Sequence, residues 1–161
     1  MKLIVEAASY AEFYKRYTDG KAFAIISVYQ GDNTTSINDS NTKSFRAKVS
    51  NMGYDYIRVM GKYAEDESPN EFTVVFCNET DVKDFIRFIL FFAKKYHQNS
   101  VTIVDEDSNI WIYSTKTDGT YGGTGTKYLQ SGKFQRYEIE DLILRQFKRT
   151  FEVNQIKVSV D

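Results

Sequence analysis

The residues most similar to a nucleotide-binding motif are the glycines of residues 119–127, which read GTYGGTGTK. A P-loop needs glycine, four residues and then Gly-Lys-Ser or Gly-Lys-Thr at the start of a helix. This spacing does not occur in the segment, and the strand and helix that flank a dinucleotide fingerprint are not expected around it. The pattern is more typical of a flexible loop, so nucleotide binding there is an alternative hypothesis.

Two acidic turns, at residues 65–67 and 105–107, have the oxygen ligands that a divalent cation prefers. Neither turn has the Asp-x-Asp-x-Asp-Gly spacing of a helix–loop–helix calcium site, and acidic turns are usually solvated. A carboxylate–metal enzyme is therefore a second alternative hypothesis. Its candidate ligands are Glu65, Glu67, Asp105 and Asp107.

Histidine and cysteine chemistry is limited by the single His97 and the single Cys77. Zinc sites and Ser-His or Cys-His nucleophile pairs need more of these residues, or need a fold that brings the two together. Cys77 ends an apolar run, so we expect its side chain to be a small, buried hydrophobic group. As a single cysteine it cannot form an internal disulfide, so we expect a reducing, cytoplasmic compartment. We predict no catalytic residue, no metal and no cofactor, and we favour a protein that is not an enzyme.

A group of basic residues near the end of the sequence is interleaved with two phenylalanines. Arg145, Lys148 and Arg149 form this group, and Lys127 of the glycine segment extends it. Such a patch can bind phosphate groups, which makes a nucleic-acid or nucleotide binder the first alternative hypothesis. The net charge of -1, from 21 Lys+Arg and 22 Asp+Glu, gives no overall field that would favour nucleic acid.

The chain contains 12 tyrosines and 12 phenylalanines, which are many for its size, and core packing explains most of them. Tyrosine is enriched on recognition surfaces because it gives a large contact area with few rotatable bonds. Tyr121 and Tyr128 lie in and beside the glycine segment, where we expect exposed side chains. The candidate binding surface consists of these tyrosines and the basic residues: Tyr121, Lys127, Tyr128, Arg145, Lys148 and Arg149.

Hydrophobic spacing in the first half of the chain predicts two helices, a central strand and a hairpin. The apolar and aromatic residues within 3–17 are spaced as on one face of a helix. Residues 22–29 are apolar at both odd and even positions, as in a strand covered on both faces. Residues 31–41 are rich in Asn, Thr and Ser and are predicted to form a loop. The second helix follows this loop and ends at Gly53. Alternation in residues 54–63 and 71–77 predicts an antiparallel hairpin.

The second half is predicted to contain a strongly apolar helix and further strands. The helix follows a candidate N-cap at Asn78 and ends at Lys94 and Lys95. Its apolar centre is too short to cross a bilayer. Further expectations are a hairpin at residues 101–104 and 110–113, a short strand at 127–129, a short helix at 138–146, and strands at 150–153 and 156–160.

These elements predict the α+β class, with a mixed, largely antiparallel sheet and about three helices packed on it. The length of 161 residues and the absence of a Pro-rich or Ser-rich linker predict a single globular domain over residues 1–161. The first seven residues reach an acid before any stretch of signal-peptide length, so we expect a cytoplasmic protein.

The order of segments resembles a family of small uncharacterised proteins of phages and bacteria that share a domain of unknown function. The residues that carry the likeness are 3–9, 23–27, 53–54, 61–63, 93–96, 98–100, 131–134 and 149–153. The sequence departs from the family at residues 69–72, where an acid-Ser pair commonly precedes the aromatic residue. The resemblance contains no catalytic signature and implies a small accessory protein encoded by a phage.

The main functional hypothesis is therefore a non-enzymatic accessory protein that binds another protein. Its expected partner is a host, virion or defence protein, recognised through an aromatic-rich face. The hypothesis rests on the missing catalytic residue types and on the abundance of tyrosine. Nucleic acid is a less favoured partner, and we expect no membrane association.

Overall fold

The computed structural model describes the backbone of residues 2–5, 12, 15, 19–62, 68, 70–78, 82–107, 109–115, 127–133, 149–153 and 156–160. Side chains are described for these residues outside 2–5, 62, 114, 127–133, 149–153 and 156–160.

Nine strands within these ranges form one sheet. They are β1 (Lys2–Val5), β2 (Phe23–Ile26), β3 (Asp55–Lys62), β4 (Asn70–Phe76), β5 (Ser100–Val104), β6 (Asn109–Ser114), β7 (Lys127–Lys133), β8 (Arg149–Val153) and β9 (Ile156–Val160). Their spatial order is β7-β6-β5-β2-β4-β3-β1-β9-β8. The pair β1 and β9 is parallel, and the neighbouring pairs on both sides of it are antiparallel. The predicted α+β class is confirmed.

Two helices are present in the described part of the chain, α1 (Thr35–Asn51) and α2 (Val82–Lys95). The prediction of about three helices is therefore too high by this description. The start of the expected first helix is instead β1, in which Leu3 pairs with Gly61 of β3. Leu-Ile-Val is a β-favouring run, and pairing on both sides outweighs its helical spacing. Glu12 and Lys15 are helical, and the predicted helix at 138–146 lies outside the described residues.

Helix α1 begins within the segment that was predicted to be a loop, because its polar residues cap and brace it. The Oγ1 atom of Thr34 accepts a hydrogen bond from the backbone N–H of Ile37 at 3.2 Å. Thr42 Oγ1 donates to the carbonyl of Asn38 at 2.8 Å, one turn earlier in the helix. The helix ends as predicted, with Gly53 in the left-handed region at φ 80°.

Both predicted hairpins are confirmed, and they carry the core against which the helices pack. Tyr56 pairs with Val75 in the β3–β4 hairpin, and Ile103 pairs with Trp111 in the β5–β6 hairpin. One face of the sheet and the two helices share a buried cluster. Rings of α1 and α2 meet within it, since the ring centroids of Phe45 and Phe92 are 5.4 Å apart.

The two faces of β3 and β4 have different surroundings. On the face that is turned away from the helices, three side chains are almost completely buried: Val59, Val74 and Phe76. On the helix side, the buried cluster ends before the start of β4, where α1 passes over polar side chains.

Neither helix in the described ranges is long and apolar enough to cross a membrane. The single domain over residues 1–161 stays a prediction.

The ring of Phe72 on β4 leaves no room for a side chain at Gly61 of β3. A Cβ atom at this position would lie 2.7 Å from Cδ2 of Phe72, which is itself buried. We expect Gly61→Ala to lower the free energy of unfolding by about 1–3 kcal/mol, because the ring cannot move without displacing its neighbours. Urea denaturation followed by circular dichroism measures this difference.

The matched control is Gly31→Ala, because a Cβ atom there meets no atom within 4 Å. We expect this control to change stability by less than about 1 kcal/mol, in either direction. Equal stability of the two variants would contradict the packing of Phe72 against Gly61.

Candidate functional site

A polar cleft lies between α1 and the β3–β4 hairpin. Its volume is ≈ 840 Å³, which is in the range of sites for small molecules and cofactors. The cleft is open on one side, and charged and aromatic side chains line it. The six that organise it are Tyr29, Asp39, Arg46, Tyr56, Arg58 and Glu71.

The periodicity of three elements places these side chains together. Asp39, Lys43 and Arg46 follow one another at helical spacing and line the cleft from α1. Tyr56 and Arg58 are two residues apart on β3, so they share a face of the sheet. Arg58 pairs with Thr73, and Met60 pairs with Glu71, so β4 completes the same face.

Glu71 is the centre of the cleft because one of its oxygens accepts a hydrogen bond from Arg46 and forms an ion pair with Arg58. Arg46 Nη1 lies 2.6 Å from Glu71 Oε1, and Arg58 Nε lies 3.1 Å from the same atom. The other oxygen, Oε2, lies 3.5 Å from the hydroxyl of Tyr29. The side chains of Glu71 and Arg46 are only 13% and 15% exposed, so this ion pair is largely shielded from solvent.

Arg46 ties α1 to the start of β4 through all three nitrogens of its guanidinium. In addition to Glu71, it donates from Nε to Thr73 Oγ1 at 3.1 Å and from Nη2 to the carbonyl of Phe72 at 3.3 Å. Its Cζ atom also lies 5.6 Å from the ring centroid of Tyr56, a cation–π distance. These bonds fix where the helix lies above the strand.

Tyr29 is held as a hydrogen-bond donor at the second carboxylate of the cleft. Its hydroxyl donates to Asp39 Oδ1 at 2.5 Å. This hydrogen bond, then burial, then the negative charges of Asp39 and Glu71 raise the pKa of Tyr29 to about 12. The phenol therefore stays protonated at neutral pH and keeps its proton directed at a carboxylate.

The backbone around Tyr29 is fixed by side chains from two neighbouring segments. Asn38 accepts from the N–H of Gln30 at 2.9 Å and donates to its carbonyl at 3.1 Å. Gln98 donates to the carbonyl of Tyr29 at 2.8 Å. Ser27 Oγ accepts from the N–H of Tyr29 at 3.2 Å and donates to the carbonyl of Glu71 at 3.1 Å. The aromatic and the carboxylate are thus linked through backbone as well as side chains.

The sequence analysis did not single out any of these six residues. A signal was present in the alternation of Tyr56, Arg58 and Met60 on the side of β3 that faces a helix. Polar side chains on such a face need partners across the hairpin and on the helix. Glu71 and Arg46 are those partners, but only the register of the hairpin shows it.

The structure separates the predicted binding surface across the sheet. Lys127 and Tyr128 lie on β7, whereas Arg149 begins β8 at the opposite edge. The remaining three residues, Tyr121, Arg145 and Lys148, lie outside the described part of the chain. Whether any of the six binds a ligand stays a prediction.

Asp105, a candidate cation ligand in the second acidic turn, already has hydrogen-bond partners within the protein. Asp105 accepts from Trp111 Nε1 at 2.7 Å and from the N–H groups of Asp107 and Asn109. Burial alone would raise the pKa of Asp105, but these hydrogen bonds together lower it below its ordinary value. No group of three potential metal ligands occurs among the described residues, and Glu65 and Glu67 lie outside them.

The fold and the cleft define a class: an α+β protein with an open cleft, large enough for a small molecule, that is lined by charges of both signs. The sequence model of the S-adenosylmethionine lyase family matches residues 24–155, a span that contains all six organising residues. The chain therefore belongs to the S-adenosylmethionine lyase family. No curated protein and no solved structure matches the chain at a significant level.

Membership of this family corrects the main functional hypothesis. A non-enzymatic, phage-encoded protein that acts by binding another protein is the wrong interpretation, because the family is named for an enzyme activity. The resemblance to proteins with a domain of unknown function is replaced by this match, which carries no indication of a phage origin. A host, virion or defence protein as partner and a cytoplasmic location stay predictions.

The pKa of Tyr29 gives a test of the cleft geometry. We expect Asp39→Asn to lower it from about 12 toward the ordinary value of 10.0, because both the strong acceptor and its charge are lost. NMR titration of ¹³Cζ-labelled tyrosine measures the pKa directly. Asp84→Asn, on the exposed face of α2, is the control, and a pKa that is equal in both variants would contradict the hydrogen bond.

The same shift predicts how stability depends on pH. The folded protein holds the Tyr29 proton more tightly than the unfolded chain, so the stabilisation is fully present below pH 10 and is lost as pH rises through about 12. Asp39→Asn should reduce this loss. Urea denaturation of both proteins at several alkaline pH values measures the difference, and parallel curves would contradict the assignment.

Proposed function

We propose that this protein is a lyase that cleaves a carbon–sulfur bond of S-adenosylmethionine in the cleft between α1 and the β3–β4 hairpin. The observation that carries the proposal is the family match over a span that contains every residue of the Glu71 cluster. The cleft itself supports it by its size and by its mixture of charges.

The chemistry of the cleft is complementary to that of S-adenosylmethionine. The substrate carries a sulfonium and an ammonium cation, a carboxylate and an adenine ring. The cleft presents carboxylates from Asp39 and Glu71, guanidinium groups from Arg46 and Arg58, and the partly exposed ring of Tyr56. A ligand with charges of both signs and an aromatic ring has a partner there for each of its groups.

The reaction class also explains why no nucleophilic histidine or cysteine is needed. When a sulfonium loses one carbon, both electrons of the broken bond stay on sulfur, which leaves as a neutral thioether. A lyase adds no water, so the carbon that separates from sulfur must form its new bond within the substrate. It forms a double bond as a neighbouring proton is lost, or it bonds to one of the substrate's own oxygens. Such a step depends mainly on holding the substrate in a reactive geometry.

Glu71 is best suited to organise the cleft rather than to face the sulfur atom. The positive charge on sulfur disappears as the bond breaks, so a carboxylate beside it would stabilise the substrate more than the transition state. Glu71 Oε1 is already shared by Arg46 and Arg58, which offset its charge. We therefore assign it a positioning role, in which it fixes both guanidinium groups at the cleft.

The test is consumption of S-adenosylmethionine by the purified full chain, followed by liquid chromatography and mass spectrometry. We expect a thioether nucleoside or thioether amino acid to accumulate as the substrate disappears, and the product masses identify the bond that breaks. Glu71→Gln should lower kcat/KM by about 100-fold, because both guanidinium groups lose the charge that positions them and a misplacement of about 1 Å can cost that much. The same variant should lose stability, since it leaves the charge of Arg46 without its partner.

Glu106→Gln provides the matched control, because it makes the same substitution at an exposed residue in the β5–β6 turn. We expect this variant to retain the wild-type rate. Two results would contradict the proposal: no loss of S-adenosylmethionine with the wild-type protein, or equal rates for Glu71→Gln and wild type.

A further inference from the structure

We propose that Arg58 binds the α-carboxylate of S-adenosylmethionine and makes the protein selective for the amino-acid form of the substrate over its decarboxylated form. This inference rests on the proposed function and names the group of the cleft that recognises one end of the substrate. Three cationic side chains line the cleft, Lys43, Arg46 and Arg58, and the structure distinguishes them.

Each of the three nitrogens of Arg46 already has a protein acceptor. Its three nitrogens donate to Thr73, Glu71 and the carbonyl of Phe72, and its side chain is only 15% exposed. Two of its five N–H groups have no acceptor among these three, but the low exposure of the side chain gives a ligand carboxylate little access to them. Its bonds instead make it the residue that joins α1 to β4.

Arg58 is held at one end and open at the other. Its Nε atom lies 3.1 Å from Glu71 Oε1, and the side chain is 57% exposed. Among the described residues, none is a partner of its two terminal nitrogens. These two nitrogens can donate two parallel hydrogen bonds to a carboxylate, and the contact with Glu71 fixes their position.

Lys43 lacks both features. It lines the cleft from an exposed position on α1, and its single ammonium group cannot offer the planar pair of donors that matches a carboxylate. The cluster of Arg46, Glu71, Asp39 and Arg58 has two positive and two negative groups. A carboxylate at Arg58 places the negative end of the substrate at a guanidinium.

The experiment compares two ligands that differ only in the carboxylate. The probes are S-adenosylhomocysteine and decarboxylated S-adenosylhomocysteine, stable thioethers without the sulfonium that the reaction breaks, and calorimetry gives the dissociation constant of each. We expect the wild-type protein to bind the ligand with the carboxylate about 10- to 100-fold more tightly, the range for hydrogen bonds between charged groups. Arg58→Gln should bring this ratio close to one, mainly by weakening the acid. Arg58→Lys should keep part of it.

Two further variants locate the effect. Arg87→Gln makes the same substitution at an exposed arginine of α2, outside the cleft, and should keep the wild-type ratio. Lys43→Gln should also keep most of the ratio. The inference is overturned if Lys43→Gln removes the ratio while Arg58→Gln retains it. It is also overturned if Arg58→Gln weakens both ligands equally, because Arg58 would then act only through Glu71.

The outcomes separate this inference from the proposed function. If the wild-type protein consumes S-adenosylmethionine but Arg58→Gln retains the wild-type binding ratio, only the role of Arg58 is wrong. If the wild-type protein neither consumes S-adenosylmethionine nor binds either thioether, the proposed function is wrong, and the role of Arg58 is overturned with it.

Discussion

The structure of the cleft depends on one interaction, the sharing of the Glu71 carboxylate between two arginines from different elements. Arg46 comes from α1 and Arg58 from β3, so the carboxylate on β4 joins a helix to a hairpin. Glu71 and Arg46 are largely shielded, and a shielded charge without a partner is costly, so these two side chains require each other. The same bonds that hold α1 over the sheet therefore place the polar groups that line the cleft.

The apolar core orients α1 for that arrangement. Phe45 and Val49 of α1 are completely buried, which fixes the face that the helix presents to the sheet. Asp39 and Arg46 lie on the adjacent face, close to β4. At the beginning of α1, Asn38 holds the backbone of Gln30, and this brings Tyr29 to Asp39. The cleft is thus where the buried stripe of the helix ends and its polar side meets the edge of the core.

The sequence was sufficient for the α+β class and for both hairpins, because alternation and apolar runs report burial directly. It failed at residues 3–5 and at the start of α1, where strand pairing and side-chain capping outweigh local preference. It also missed the cleft, since Glu71 and Arg46 are 25 positions apart and neither belongs to a motif. The search for histidine and cysteine signatures did not lead to the cleft, because none of the six residues that organise it is a histidine or a cysteine.

The most direct test of this account is a crystal structure of the protein with S-adenosylhomocysteine. The account predicts density for the ligand between α1 and the β3–β4 hairpin, with its carboxylate at Arg58 and the Arg46–Glu71 pair intact. Density for the ligand elsewhere, with the cleft occupied only by solvent, would contradict the assignment of the cleft as the substrate site.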